Sequence, residues 1–226
     1  MASVPGADPW QLSRLAMVAT QLRHRGIRDE RVLAAMERVP RHVFVPKDKL
    51  QHAYEDQPVV IEEEQTISQP YIVAAMLEAV HVRPEDSVLE VGTGSGYQAA
   101  LLAELAARVY SIERYPALAD LARERVRKLG YRNIEIAVGD GTLGLPQHAP
   151  YDVIIVAAAA PRVPPAMVQQ LQEGDGHADG GRLIIPVGTP ENQQLQLVRR
   201  RQGDLVTSFL DGCRFVPLIG EQGFHI

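Results

Sequence analysis

The chain has 226 residues, 46% hydrophobic and 23% charged, enough apolar content for one core with room for an added subregion. Its 23 basic and 28 acidic side chains leave a net charge of −5, the opposite of what a protein gripping nucleic acid by its phosphates requires. A single cysteine, Cys213, excludes an internal disulfide and a thiolate-rich metal site, and no run approaches the ~18 apolar residues of a membrane span.

Residues 1–9 precede any apolar periodicity and are expected to be disordered. Leu12, Leu15, Ala16, Ala19 and Leu22 then share one helical face, and Gly26 stops that helix. Asp29 caps a second helix with Val32, Leu33, Met36 and Val39 on its inner side, ended by Pro40. Segments 42–46 and 57–61 read as short extended pieces punctuated by proline. After Gln65-Thr66-Ile67-Ser68-Gln69-Pro70 comes an amphipathic helix carrying Ile72, Val73, Met76, Leu77 and Val80.

From about residue 84 strands and helices alternate. Strands are predicted over 87–91, 109–112, 134–138, 152–156 and 183–187, near-continuously apolar as befits strands covered on both faces. Helices are predicted over 97–105, 117–129 and 165–171, and 173–181 as a flexible surface loop. The end reads as an antiparallel hairpin, 194–198 with 205–209, and a last extended piece at 214–218. Arg199-Arg200-Arg201 is expected at the solvated tip of that hairpin, and Cys213 as a small core filler. The fold class is α/β, a doubly wound, mostly parallel sheet, with an N-terminal helical subregion over 1–83 and the sheet-bearing core over 84–226 in one domain.

Ligands of such sheets bind at the carboxyl ends of the strands, beside the point where strand order reverses. Three features fall there. Gly92-Thr93-Gly94-Ser95-Gly96 follows the first strand, where glycines admit a ligand close to the backbone and the next helix offers free N–H groups. The dinucleotide fingerprint G-x-G-x-x-G/A is not met: the third glycine comes one residue early, and Tyr97 stands where the fingerprint wants Gly or Ala. Glu113, at the end of the second strand, can accept both ribose hydroxyls of an adenosine. Asp140 in Gly139-Asp140-Gly141, after the third strand, can accept from the exocyclic adenine amine, with Gly141 letting the loop close over the ring; alone it reads equally as an Asx turn. Together these features point to an adenosyl cofactor without a pyrophosphate, S-adenosylmethionine. Glu90 either orients the glycine loop or reaches the methionyl ammonium of that cofactor through water. None of the seven histidines forms a ligand-spaced pair on a credible helix, so no metal is expected.

Gln65-Thr66-Ile67-Ser68-Gln69-Pro70, Val88-Leu89-Glu90-Val91-Gly92-Thr93-Gly94-Ser95-Gly96-Tyr97, Gly139-Asp140-Gly141, Tyr151-Asp152-Val153-Ile154-Ile155-Val156 and Arg214-Phe215-Val216-Pro217-Leu218 stand in one order along the chain. In that order, over about residues 12–218, the chain resembles the protein-L-isoaspartate O-methyltransferase family, whose fold is a Rossmann-like S-adenosylmethionine-dependent methyltransferase core. The resemblance implies Ser68 as the catalytic residue and Gln65, Thr66 and Ile67 as cofactor contacts beside Gly92, Thr93, Gly94 and Gly96. It implies isoaspartyl proteins and peptides as substrates, methylated on a free α-carboxyl whose pKa of about 3.3–3.7 leaves it ionised and in need of no general base. The ester would then close spontaneously to a succinimide, so the outcome is repair. Pro70 favours a helix's first position, which puts Gln69 rather than Ser68 at the cap.

Two residues depart from the family pattern. Glu64 stands where the family usually has glycine, and Ala157 where it commonly has threonine. They keep open a methyltransferase of another protein or small-molecule carboxylate. The pattern also leads to the expectation of a cytoplasmic monomer with no nucleic-acid or membrane partner.

Overall fold

The computed structural model describes residues 8–174 and 180–225, so most of the expected N-terminal tail and the middle of the expected loop 173–181 lie outside the described residues. Helix α1 (Gln11–Ala16) runs on through wider π-type turns over Met17–Arg23, and α2 (Glu30–Arg38) follows. Asp29 caps α2 as its position predicts, accepting from the amides of Arg31 and Val32. Segment 42–46, expected to be extended, is instead a tight 3₁₀ turn over Arg41–Phe44. Its Arg41 and Phe44 are buried, and burying both from one short segment is easier from a turn than from an alternating strand. Strands β1 (Val59–Val60) and β2 (Thr66–Ile67) pair antiparallel, and α3 (Pro70–Val80) begins on Pro70 with Gln69 at its cap position.

The remaining elements are β3 (Ser87–Val91), α4 (Tyr97–Leu105), β4 (Arg108–Glu113), α5 (Pro116–Lys128), β5 (Ile134–Val138), β6 (Val153–Val156), α6 (Pro165–Gln169), β7 (Arg182–Gly188), β8 (Gln193–Arg201) and β9 (Asp204–Cys213). They form a seven-stranded sheet in the order β5-β4-β3-β6-β7-β8-β9. Pairings from β5 to β7 are parallel, and the last two are antiparallel. The chain adds β4 and β5 on one side of β3, then crosses to add β6 and β7 on the other. The order therefore reverses between β3 and β6, and the glycine loop that follows β3 lies at that reversal.

Alternate side chains of each central strand feed two cores. Val88, Val109, Ile155 and Ile184 pack with Met17, Leu33, Met36, Leu77 and Leu101, which joins the N-terminal helices to one face of the sheet. Leu89, Val91, Ile112, Ile154, Val156 and Leu183 pack with Tyr151 and Met167 on the other. At the amino ends of the strands Asp86 and Arg182, 3% and 7% exposed, form an ion pair that ties the start of β3 to the start of β7.

The closing hairpin is longer than the sequence suggests, with nine and ten residues in its strands. Arg199 and Arg200 consequently sit within β8, not at its tip. Arg199 donates to Ala79 O, and Arg200 pairs with Glu173 and donates to Val168 O. Cys213 is half-buried at the end of β9, packed against the first core, and burial pushes its thiol up to about 11.

Candidate active site

A cavity of about 350 Å³ opens at the carboxyl ends of β3, β4 and β5, within the range of about 300–1,000 Å³ typical of small-molecule sites. The glycine loop forms its floor. Gly92, Thr93 and Gly94 line it directly, with Ser95, Tyr97 and Gln98 behind them. Gly96 is not on the wall. It starts α4 at φ +90°, and a Cβ there would come within 3.1 Å of Ala122 Cβ on α5. The third glycine is thus accounted for by the approach of two helices rather than by a ligand.

Glu113, the last residue of β4, lies on the wall and is 6% exposed. Its Oε2 accepts from Gly94 N at 2.8 Å and its Oε1 from Tyr115 N at 3.0 Å, which braces the loop after β3 against the loop after β4. Each oxygen keeps a second lone pair for a hydroxyl. Arg114 and Tyr115, the next two residues, also line the cavity, although nothing in their sequence marks them beyond following the strand-end acid.

Glu90 is fully buried beneath the floor and off the wall. Ser111 Oγ lies 2.5 Å from Glu90 Oε2 and 2.5 Å from Thr93 Oγ1, so a chain of hydrogen bonds runs from the buried carboxyl to the glycine loop. Glu90 Oε1 makes no hydrogen bond among the described residues. Burial pushes this carboxyl up to about 8, with nearby Glu113 adding to the shift and the Ser111 hydroxyl and the neighbouring Gln98 amide opposing it.

After β5, Gly141 reaches the wall and Asp140 does not. A Cβ at 141 would sit 2.6 Å from Val91 Cγ1, so glycine lets this loop lie directly on β3. Asp140 Oδ1 accepts from Thr142 N and Thr142 Oγ1, and Oδ2 from Glu221 N. Burial raises its pKa, but these hydrogen bonds outweigh that and hold the carboxyl below its ordinary value. Asp140 is therefore an Asx cap that also fastens the chain's last turn, and Gln222 N joins it by donating to Thr142 Oγ1. Just before that turn, Val216, Pro217, Leu218 and Ile219 form part of the wall.

The roof comes from the N-terminal region. Gln65, Thr66, Ile67 and Ser68 all line the cavity, as do Glu63 and Glu64. Both glutamates have φ +55°, the left-handed region that favours glycine. Glycine at 64 would meet that backbone demand without strain; glutamate meets it at a cost of about 1–3 kcal/mol. Ala157 lines the opposite side without a hydroxyl to offer. Ser68 Oγ makes no hydrogen bond to the protein among the described residues, so its hydroxyl is free to donate. No histidine or lysine among the described residues lines the cavity. Among the described residues, no three histidines, cysteines or acids are grouped to hold a metal ion, and no helix is long and apolar enough to cross a membrane.

Comparison with known proteins converges on one family. The family model described as "Protein-L-isoaspartate(D-aspartate) O-methyltransferase (PCMT)" matches residues 13–223. A protein-L-isoaspartate O-methyltransferase of Koribacter versatilis is 56% identical over 224 residues, 99% of this chain and 98% of that one. A solved protein-L-isoaspartate O-methyltransferase superposes with a TM-score of 0.82 at 31% identity, covering 92% of this chain and 67% of the other. A Plasmodium falciparum structure described as a beta-aspartate methyltransferase (PCMT), in complex with S-adenosyl-L-homocysteine, superposes with a TM-score of 0.78 at 26% identity, over 91% and 98% of the two chains.

Proposed function

Because the chain belongs to the protein-L-isoaspartate(D-aspartate) O-methyltransferase family, we infer that it moves a methyl group from S-adenosylmethionine to the free α-carboxylate of L-isoaspartyl residues in damaged proteins and peptides. One observation carries the reading: the glycine loop, the strand-end acid Glu113 and the free hydroxyl of Ser68 open onto the same cavity from three separate parts of the chain.

The residues present suit an adenosyl sulfonium. Gly92, Thr93 and Gly94 offer backbone approach, Glu113 offers lone pairs for two ribose hydroxyls, and Ile112, Tyr115 and Leu218 supply apolar wall for a base. Glu63, Glu64 and Glu113 on the wall set a carboxylate-rich surrounding that favours a cation. When bound, S-adenosylmethionine supplies an electrophilic methyl group. Gln65, Thr66, Ile67 and Gly141 close the remaining sides. Glu90 supports the site through Ser111 and Thr93, Gly96 through the α4–α5 approach, and Asp140 through the final turn.

Ser68 Oγ is the donor assigned to the substrate carboxylate. A wall without histidine or lysine fits a nucleophile that is already ionised, since a carboxylate has no proton to remove. What the protein contributes is alignment, worth roughly 7–11 kcal/mol in well-oriented reactions. In this reading residues 1–83 cover the substrate side and 84–226 hold the cofactor, within one domain. We read the enzyme as a cytoplasmic monomer, and its net charge of −5 disfavours a grip on nucleic-acid phosphates.

The test is a peptide pair differing only in isoaspartate against aspartate, incubated with labelled S-adenosylmethionine. Label should enter the isoaspartyl peptide and leave as methanol in mild base. Equal label on both peptides would refute the substrate assignment. Ser68→Ala should lower turnover about 100-fold, the scale of a misaligned reacting group, while S-adenosylhomocysteine binds within about threefold of the parent. A parental rate in that variant removes Ser68 from the mechanism.

A further inference from the structure

Arg41 is 0% exposed, and among the described residues no carboxylate lies within ion-pair distance of its guanidinium. A cation buried without a counter-charge is held only by what its donors reach, so its bonds to the backbone define what it fixes. Its Nε donates to Ala53 O at 2.8 Å, and its Nη2 donates to Ser68 O at 2.8 Å. Its guanidinium carbon lies 4.8 Å from the ring centroid of Tyr97, the first residue of α4 and part of the cavity wall. One rigid fork thus spans the 3₁₀ turn that carries it, the segment around Ala53, the backbone of Ser68 and the start of the helix behind the glycine loop.

The same corner is gripped at the two neighbouring points. Gln69 Nε2 donates to Asp56 O at 2.9 Å, and Tyr71 N donates to Asp56 Oδ1 at 3.2 Å. Asp56 is itself paired with Arg25, whose guanidinium lies 3.6 Å from the centroid of the Tyr71 ring. The turn leading into α3 is therefore fixed by the side chains of Arg41, Asp56 and Gln69, the last of which reaches back to Asp56 and makes no cap bond. Ser68 is the one residue of this corner whose hydroxyl faces the cavity unengaged.

We propose that Arg41 is a positioning residue for methyl transfer, its guanidinium fixing the Ser68 backbone so that Ser68 Oγ meets the substrate carboxylate. Arg41 does not line the cavity and acts through Ser68. The inference rests on the catalytic reading of Ser68. Lysine cannot replace it, because an ammonium keeps the charge but lacks the planar fork that reaches two carbonyls at once.

The experiment is a cycle of R41K, S68A and the double variant, assayed on an isoaspartyl peptide well below each unfolding temperature, with S-adenosylhomocysteine affinity measured in parallel. R41K should lower kcat roughly 10–100-fold, the scale of an ångström-sized misplacement, and leave S-adenosylhomocysteine affinity within about threefold. In the S68A background, R41K should change kcat less than about twofold, because the group it positions is gone. An unchanged kcat in R41K alongside a slow S68A overturns the positioning role, as does full additivity of the two losses. A normal S68A overturns the reading of Ser68 instead. Should R41K fail to fold, an ester in place of the Ser68–Gln69 peptide bond weakens the Ser68 carbonyl as an acceptor and leaves Arg41 intact. A several-fold fall in kcat in that variant supports the proposal, and an unchanged kcat overturns it.

Discussion

Glu90 carries the most perturbed carboxyl of the site, and its consequence for stability can be signed. Its ordinary value is 4.5, and in the fold it titrates at about 8. Below pH 4.5 both folded and unfolded chains hold the proton. Between 4.5 and about 8 the folded chain still holds it and the unfolded chain has released it, so stability falls as pH rises through this window, by up to about 1.4 kcal/mol per pH unit. Glu90→Gln removes the titration. The ligand-free variant should therefore gain in unfolding temperature over the parent between pH 5 and pH 8, the difference growing with pH. A difference that does not change across that range would show that the Glu90 carboxyl titrates normally. At this scale the sequence placed Glu113 at a strand end and Ser68 ahead of a helix-starting proline, and both line the cavity, while the role given to Ser68 came from the family resemblance. Arg41 was not legible. It stands just before segment 42–46, which reads as an extended piece, and only the 3₁₀ turn over Arg41–Phe44 turns it inward.

Among elements, the approach of α4 to α5 at Gly96 is one the site depends on. Gly96 has φ +90° and faces Ala122 at van der Waals limit. Gly96→Ala adds left-handed strain and a methyl group that must displace α5, together about 2–3 kcal/mol. For a chain of this size that is roughly a 4–12 °C fall in unfolding temperature, measurable by calorimetry. A parental unfolding temperature would show that the helices separate without cost. The parallel strands were readable because strands covered on both faces are apolar almost without interruption, as in Val153–Val156. The hairpin was under-read for the opposite reason. β9 is the sheet edge and largely exposed, with Leu205, Val206 and Phe209 open to solvent, so its residues do not follow a core-facing alternation. Its partner strand carries three arginines, two of which, Arg199 and Arg200, reach backbone carbonyls of neighbouring elements, a use of charge that composition alone reads as a tip.

Across the whole molecule, the Asp86–Arg182 pair joins strands that are far apart in the chain, at the end of the sheet away from the site. Asp86 also accepts from Arg83 N, and its backbone carbonyl accepts from Ala107 and Arg108. Asp86→Ala leaves the Arg182 charge buried without a partner and should cost about 3–5 kcal/mol in urea or thermal unfolding, while turnover of the remaining folded enzyme stays near the parental rate. A loss below about 1 kcal/mol would mean that water replaces the carboxylate. The sequence order alone could not show that residues 63–68 and 216–219 meet over the glycine loop. That meeting depends on the N-terminal helices packing on the same sheet face and on the last turn being fastened to Asp140 and Thr142.

A cavity walled by segments 63–68, 91–95, 112–115 and 216–219 belongs to no local piece of the chain and ceases to exist when the chain opens. Whatever fills it is consequently a non-covalent clasp on the native state, worth about 2.7 kcal/mol at a hundred times its dissociation constant by mass action. Susceptibility to proteases should then track the concentration of methyl donor and of its spent form alike. The enzyme's lifetime would be coupled to the supply of the compound it consumes, through its folding equilibrium and without a separate regulatory domain.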